Sequence, residues 1–503
     1  MDIKVNDSAL EEALAKVEAV RNWSPRIISK MENSIRTADD EDLFRINPLQ
    51  WAQEKNVDSH EAIDLFLHGA KAGLFDMDWS VICPCCGKIT QSLRDLHNMQ
   101  SQINCTVCFR NDQATLDDYV QITFTLSPAI RMLRYHHPET LSLEDYCFKY
   151  LFERGVRLGE GGNLTLADFF GNITIHLSQF SPGEKITVEV QVGHGILFCN
   201  DLFSQKGFAF LTDDTPATDL QTISIKLTEA GFEVPLPQIQ PGELRIAHKF
   251  MTGTFYPLHP GRVVLELEQA SESKAALFIW SALFEQIRAF PDVGFVPSLT
   301  AKRLFACQTF HDLFHTEVFR ESEGFGVKDV TILFTDLKSS TQLYQQIGDL
   351  NAFALVREHY GVLNKAILNQ HGAVVKTIGD AIMATFNQPV EAVGAGLEML
   401  KELRKLNQAS RRGDLILKIG IHRGAAISVN LNDSIDYFGQ TVNIASRVQS
   451  SAGGEEIFLT EGIYFSEGVQ DLLHVQHCQT EPVQVQLRGI EEQVKIYKVT
   501  RGE

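Results

Sequence analysis

Val330-Thr-Ile-Leu-Phe-Thr-Asp336, running into Leu337-Lys-Ser-Ser-Thr341, is the stretch from which the fold is read. It is an apolar strand that ends in a carboxylate and leads into a predicted helix, Gln342-Leu-Tyr-Gln-Gln-Ile. A strand that delivers an aspartate to a helix N-terminus makes a corner for phosphate and metal. Free N–H groups donate to phosphate oxygens while the carboxylate holds a cation. Many α/β proteins have such a corner, so the reading needs company.

A second carboxylate supplies it. Ala373-Val-Val-Lys-Thr-Ile-Gly379-Asp380-Ala-Ile-Met-Ala-Thr-Phe386 reads as two strands about a two-residue turn, with Asp380 at the tip. Asp380 either serves the turn or joins Asp336 in sharing a pair of Mg2+ ions. The third piece is Asp436-Tyr-Phe-Gly-Gln-Thr-Val-Asn443-Ile-Ala-Ser-Arg447. Gly439 ends a strand or loop and Thr441 can open a helix, which puts Asn443 and Arg447, four apart, on one helical face. Arg offers a planar donor fork to a transferring phosphoryl group. A plain solvated face is the alternative for this piece alone.

Together FTDLKSST, VVKTIGDAIMATF and DYFGQTVNIASR closely resemble the class III nucleotidyl cyclase catalytic domain, over essentially all of 327–503 and in family order. The resemblance implies a ferredoxin-like-type domain and a set of roles. Asp336 and Asp380 match the two metal-binding aspartates, for two Mg2+ or Mn2+ ions per site. Lys376 matches the purine-specifying lysine, and Asp436 its partner at the adenine amino group. Asn443 matches the ribose-orienting asparagine, and Arg447 the arginine that stabilises charge at the α-phosphate. Arg488, in Leu487-Arg-Gly489, stands where the family often has a lysine for the terminal phosphates. The Lys and Asp pair is similar to the ATP-selective pattern, since a carboxylate suits an exocyclic amino group and guanine presents a carbonyl there. Asp436 also departs from the subgroup with Thr, so bicarbonate control is not expected. In the family the site is composite, so both residue sets in one chain imply a homodimer with two equivalent sites.

Upstream, Cys83-Pro-Cys85-Cys86-Gly87 and Cys105-Thr-Val-Cys108 give C-x2-C turns in the spacing of four-cysteine zinc sites. Cys83, Cys86, Cys105 and Cys108 are the predicted ligands of a closed, structural Zn2+, with Gly87 permitting a tight knuckle and Cys85 spare. Residues 1–80 read as helical, with a capping box at Ser8 to Glu11 and an N-cap at Asp58 or Ser59. The helix pair in 46–77 has helix-turn-helix spacing, yet residues 41–80 are strongly acidic, the wrong sign for reading DNA. Residues 119–296 alternate in period two, as in Val120-Gln-Ile-Thr-Phe-Thr-Leu126 and Lys185-Ile-Thr-Val-Glu-Val-Gln-Val192, which predicts a mainly antiparallel β domain. Gly159-Glu-Gly-Gly is a loop without a phosphate motif. His136 and His137, adjacent on a predicted strand, would face opposite ways. Residues 297–326 read as a helical linker ending in glycines. The runs Asn47–Ala52, Ala62–Trp79, Cys83–Gly87, Tyr119–Arg131 and Leu299–Phe314 also look like a bacterial domain of unknown function often found ahead of such cyclases.

The expected architecture is therefore α+β and multidomain: a helical segment over 1–80, a zinc ribbon over 81–118, a β unit over 119–296, a linker over 297–326 and a cyclase domain over 327–503. Composition agrees with about three domains for 503 residues. With 44% hydrophobic and 22% charged residues the chain is of ordinary globular type. Lys and Arg number 45 against 64 Asp and Glu, a net charge of -19. That sign weighs against nucleic acid or an anionic membrane as partner. The start, MDIKVNDSALEE, has no signal-peptide pattern, and the longest apolar run, Ala275 to Phe284, is half of the ~20 residues a membrane span needs. That run is predicted to be a buried core helix, and a cytoplasmic location is expected. The function expected is a soluble adenylate cyclase that takes ATP, under N-terminal regulation. The competing readings are a guanylate cyclase, a non-catalytic cyclase-like binding protein, and a zinc-ribbon nucleic-acid binder.

Overall fold

The apolar run Ala275–Leu283 is a strand, not the expected helix. Its residues divide by parity between two interiors. Ala275, Leu277 and Ile279 enter one core, and Ala276, Phe278, Trp280 and Ala282 enter another. A strand buried on both faces reads as a continuous apolar run, which hides the period of two. The computed structural model describes residues 4–158, 166–246, 249–288, 293–340, 345, 348–409, 415–489 and 493–501. The Gly159–Gly162 loop lies outside them, as does the predicted helix at 342–347 apart from Gln345.

The strand is part of a sandwich. One sheet has five strands in the spatial order Phe255–Leu258, Lys206–Thr212, Gly195–Asp201, Ala275–Leu283, Thr174–Phe180. The other has four: Gly231–Glu233, Gln221–Thr228, Gly261–Gln269, Lys185–Val192. Neighbours are antiparallel except at two pairs, Lys206–Thr212 with Phe255–Leu258 and Gln221–Thr228 with Gly261–Gln269. The inner faces meet around Phe180, Phe208, Phe210, Val263 and Leu265.

Ahead of the sandwich, four helices (Asp7–Glu18, Ile27–Thr37, Pro48–Lys55, Ser59–Ala72) surround a three-stranded sheet. The first is capped by Asn6, whose side chain accepts from the Ala9 N–H, two residues before the expected Ser8. Asp58 caps the fourth, accepting from His60 and Glu61. Val120–Leu126, placed by alternation in the β unit, instead pairs residue for residue with Phe75–Ile82. It is buried on both faces in the helical core. His136 lies in a short 3-10 turn rather than a strand and bonds the Leu126 carbonyl.

Residues 297–326, expected as a helical linker, pack into a core. Leu299, Leu304, Phe305, Phe310 and Phe319 are buried in the same core as Leu10 and Trp79. Their helices, Ala301–Phe305 and Gln308–Leu313, are short because each packs one apolar turn inward. The glycines at 324 and 326 already lie in the next strand, Gly324–Leu337.

That strand opens the last unit, whose first six elements run β-α-β-β-α-β: Gly324–Leu337, Asp349–Asn369, Ala373–Ile378, Ala381–Phe386, Pro389–Ala409, Leu417–Asn430. In space the four strands lie second, third, first, fourth, the ferredoxin-like arrangement. Glu456–Thr460, Val494–Arg501 and Cys478–Val485 extend the sheet, and Ile435–Phe438 pairs with Leu417–Asn430. The helices Asp349–Asn369 and Pro389–Ala409 cover one face through Leu363, Ile367, Met399 and Leu403. On the other face lies the helix Gln440–Ser450, through buried Thr441, Ala445, Val448 and Gln449.

Candidate active site

Parity along Gly324–Leu337 separates structure from chemistry. Leu333 and Leu337 enter the core under the two long helices, while Ile332 and Phe334 face the other side. Asp336 follows Phe334 on that other side and pairs in register with Lys418. The Lys418 Nζ stands 3.4 Å from the Asp336 Oδ2.

Asp380 occupies the tip of the hairpin, with Ile378 paired to Ala381 around it. Gly379 takes the positive φ, 64°, that the first central position of a tight hairpin turn requires. The Tyr360 hydroxyl donates to the Gly379 carbonyl, and the His359 ring lies 3.4 Å from that of Asp380, so the long helix fixes the turn. The Asp380 Oδ2 accepts from the Leu337 N–H at 3.1 Å. Burial, and then the negative charge of Asp380, raise the Asp336 carboxyl above its usual range, against the opposing pull of Lys418 and the Gln449 amide. Two carboxylates in mutual repulsion, offset among the described residues by the partly exposed Lys418, form a donor set that fits divalent cations.

Lys376 and Asp436 come together from separate strands, Nζ to Oδ2 at 2.5 Å. Asp436 is only 6% exposed, and its other oxygen accepts from the Tyr437 N–H. Asn443 and Arg447 lie on the helix Gln440–Ser450, the first exposed and the second half-buried. The guanidinium of Arg447 stands within 3.5 Å of a Cβ position built on Gly489, so the loop bearing exposed Arg488 adjoins it. The predicted residues thus fall into three groups: the aspartates, the Lys376 and Asp436 pair, and the Arg447 neighbourhood. Among the described residues no hydrogen bond or ion pair links the aspartates to the other two. Lys418 and Gln449 were missed by sequence reasoning. Lys418 follows Leu417 at the head of an apolar strand, a position that carries no motif, and only the register opposite Asp336 reveals it.

Residues 325–500 match the adenylate and guanylate cyclase catalytic domain family. The carboxyl-terminal unit is a class III cyclase domain. Residues 10–255 match a family of unknown function, DUF5939. The adenylate cyclase of Anabaena cylindrica is 29% identical over 185 residues, covering 34% of this chain and 36% of that protein. The receptor-type adenylate cyclase GRESAG 4.1 of Trypanosoma brucei brucei is 26% identical over 208 residues, 34% of this chain and 16% of the relative. The chain therefore spans about a third or less of these relatives' length. Among solved structures, the adenylyl cyclase CyaB from P. aeruginosa is 24% identical, covering 36% of this chain and 97% of that one with a TM-score of 0.32. The guanylyl cyclase Cya2 is 22% identical, covering 37% and 96%, also with a TM-score of 0.32.

Outside the cyclase domain, Cys83, Cys86, Cys105 and Cys108 are buried with their sulfurs within 4.8 Å of one another. Cys83 to Cys108 is 3.4 Å and Cys86 to Cys105 is 3.5 Å. A tetrahedron of sulfurs ~2.3 Å from a zinc has edges of about 3.8 Å, so the spacing fits that ion. Gly87, at φ 68°, donates from its N–H to the Cys83 carbonyl and closes the first knuckle, while Phe109, at φ 51°, takes the same conformation after the second. Cys85 stands outside the four. Burial opposes the Cys105 thiolate, but hydrogen bonds from the neighbouring cysteines and the charge of Lys88 carry it well below the usual thiol range. Lys88, fully buried, and Arg110 set positive charge beside the cluster, suited to four thiolates around one dication. No helix among the described residues is long and apolar enough to cross a membrane.

Proposed function

We propose that the chain is an adenylate cyclase that converts ATP to 3',5'-cyclic AMP and pyrophosphate, in a homodimer governed by its N-terminal region. The observation that carries the purine choice is the Lys376 and Asp436 pair. A buried carboxylate paired with a lysine offers an acceptor for the exocyclic amino group of adenine, while the lysine donates to a ring acceptor. The named activity of the Anabaena cylindrica relative supports the same choice.

Asp336 and Asp380 would hold two divalent cations. When bound, these neutralise triphosphate charge and acidify the ribose 3'-hydroxyl. Asn443 orients the ribose so that the 3'-oxygen lies in line with the α-phosphorus. Arg447 takes up the charge that develops on the α-phosphate as pyrophosphate leaves, and Arg488 binds the terminal phosphates. The separation of the three residue groups within one chain supports a site completed by a second copy, one chain presenting its aspartates and the other Lys376, Asp436, Asn443 and Arg447. Cys83, Cys86, Cys105 and Cys108 would hold a structural Zn2+. The absence of an apolar spanning helix among the described residues is compatible with a cytoplasmic enzyme.

The test is direct: the purified chain with Mg2+ or Mn2+ and either ATP or GTP, with cyclic nucleotide quantified. Cyclic AMP from ATP is expected. Efficient product from GTP alone would replace the substrate, and no product from either would favour a non-catalytic role.

A further inference from the structure

The hairpin that carries Lys376 and Asp380 is gripped at its base by residues that precede the cyclase domain. The His371 ring, just before the hairpin, stacks on His60 at 3.7 Å and 13°. Asn387, just after it, donates from Nδ2 to the Arg303 carbonyl at 3.1 Å. Between them, the Gln308 Oε1 accepts from the Val374 N–H at 2.8 Å, while the Gln308 Nε2 donates to Asp312 and fixes the amide's orientation.

The position of that last bond matters. Ala373–Ile378 is the edge strand of the sheet, so one row of its N–H groups has no strand partner. Pairing along it is interrupted: Val374 faces Ala384, yet Lys376 faces the next residue, Met383. Val375 is therefore the extra residue of a β-bulge. It packs against the N-terminal core, as does Met383. A bulge re-aims the side chains that follow it, and removing one shifts the strand by a residue and turns each of them to the opposite face. Lys376 is the first residue past the bulge, and it reaches Asp436 only with the bulge in place.

We propose that Gln308 is a positioning residue for purine selection: by bonding the first residue of the bulge it holds Lys376 against Asp436. This rests on the reading of that pair as the purine contact. The catalytic unit's specificity is then set partly by a side chain outside it, on a helix belonging to the N-terminal core.

The experiment uses the full chain. Gln308→Met keeps the length and removes the acceptor. The ratio of kcat/KM for ATP over GTP is expected to fall about five- to tenfold, the scale of one lost hydrogen bond, mainly through a higher KM for ATP. Amide exchange over 373–378 should quicken in the same variant. The double variant Gln308→Glu with Asp312→Asn keeps an acceptor for Val374 and should restore both readouts. In a Lys376→Met background, Gln308→Met should change the ratio no further. An unchanged ratio in Gln308→Met, where Lys376→Met lowers it, would overturn the role of Gln308 alone. An unchanged ratio in Lys376→Met would overturn the purine reading and this proposal with it.

Discussion

A Cβ placed on Gly420 would stand 2.1 Å from the backbone nitrogen of Gln449. The helix bearing Asn443 and Arg447 lies flush on the strand Leu417–Asn430 because that strand has hydrogen in place of a side chain there. Four residues on, a Cβ at Gly424 would meet the Thr441 Oγ1 at 2.8 Å, and Thr441 bonds the Ala425 carbonyl at 2.5 Å. Gly420→Ala must push the helix away from the sheet. We expect a loss of about 1–3 kcal/mol in stability, as for overpacking a core, and at least a tenfold fall in cyclase rate. Denaturant midpoints and initial rates measure the two; a fully active alanine variant would mean that the helix need not sit so close.

The proposed sharing of the site between two chains predicts complementation. Asp336→Ala and Arg447→Ala should each abolish cyclic nucleotide formation as homodimers. Mixed after co-expression, they should regain activity, since one of the two sites in the mixed dimer has every residue intact. Rates of the mixture matching those of the separate variants would count against sharing between chains.

The cysteine cluster predicts metal-dependent stability. It shares a core with Phe109, Phe198 and Phe255 of the β sandwich and its border. Cys105→Ser should lose about one equivalent of zinc and destabilise the chain by several kcal/mol, the range for a structural site. Elemental analysis alongside thermal unfolding, with and without chelator, checks this. A metal-free wild-type chain with the same unfolding profile would dismiss the ion.

Stability should decline on acidification. His60, His359 and His422 are each pushed down to about 4, chiefly by burial. Each is neutral in the folded chain and takes up a proton on unfolding below about 6.5, so its contribution is full above that pH and is lost as pH falls towards 4. Glu391 works in the opposite sense: burial raises it to about 7, so its contribution is lost as pH rises through that value. Burial likewise lowers His68, His136, His176 and His311 and raises Asp78, Glu153, Glu317 and Asp336, so among the described residues seven uptakes stand against five releases and net proton uptake on unfolding prevails below about pH 6.5. Urea midpoints should therefore fall from pH 6.5 to 5, and His422→Gln should flatten the slope.

The local placement of the candidate site residues was far more legible in the sequence than the architecture was. Asp336, Asp380, Asn443 and Arg447 stand in short motifs whose spacing encodes a strand end, a turn tip and a helix face. The four cysteines do the same for their knuckles. The division into units was less visible, because Val120–Leu126 and Ala275–Leu283 are buried on both faces, and such strands show alternation or apolarity without naming their neighbours. Lys418, Gln449 and Gln308 were invisible for a related reason. Each matters through a contact with a residue at least 66 positions away, and no local pattern marks a long-range partner.

One hydrophobic core collects Leu10 and Trp79 from the start of the chain, Phe310 and Phe325 from its middle, and Met383, Tyr437 and Ala445 from the cyclase domain. On the ribosome this has a cost in time. The amino-terminal helices emerge first, yet several hundred residues must follow before the last members of their interior exist. Contacts of such sequence separation slow folding, and the unfinished interior leaves apolar surface exposed meanwhile. Chains truncated before residue 445 should therefore aggregate or require chaperones, even when they include the whole of the matched DUF5939 region.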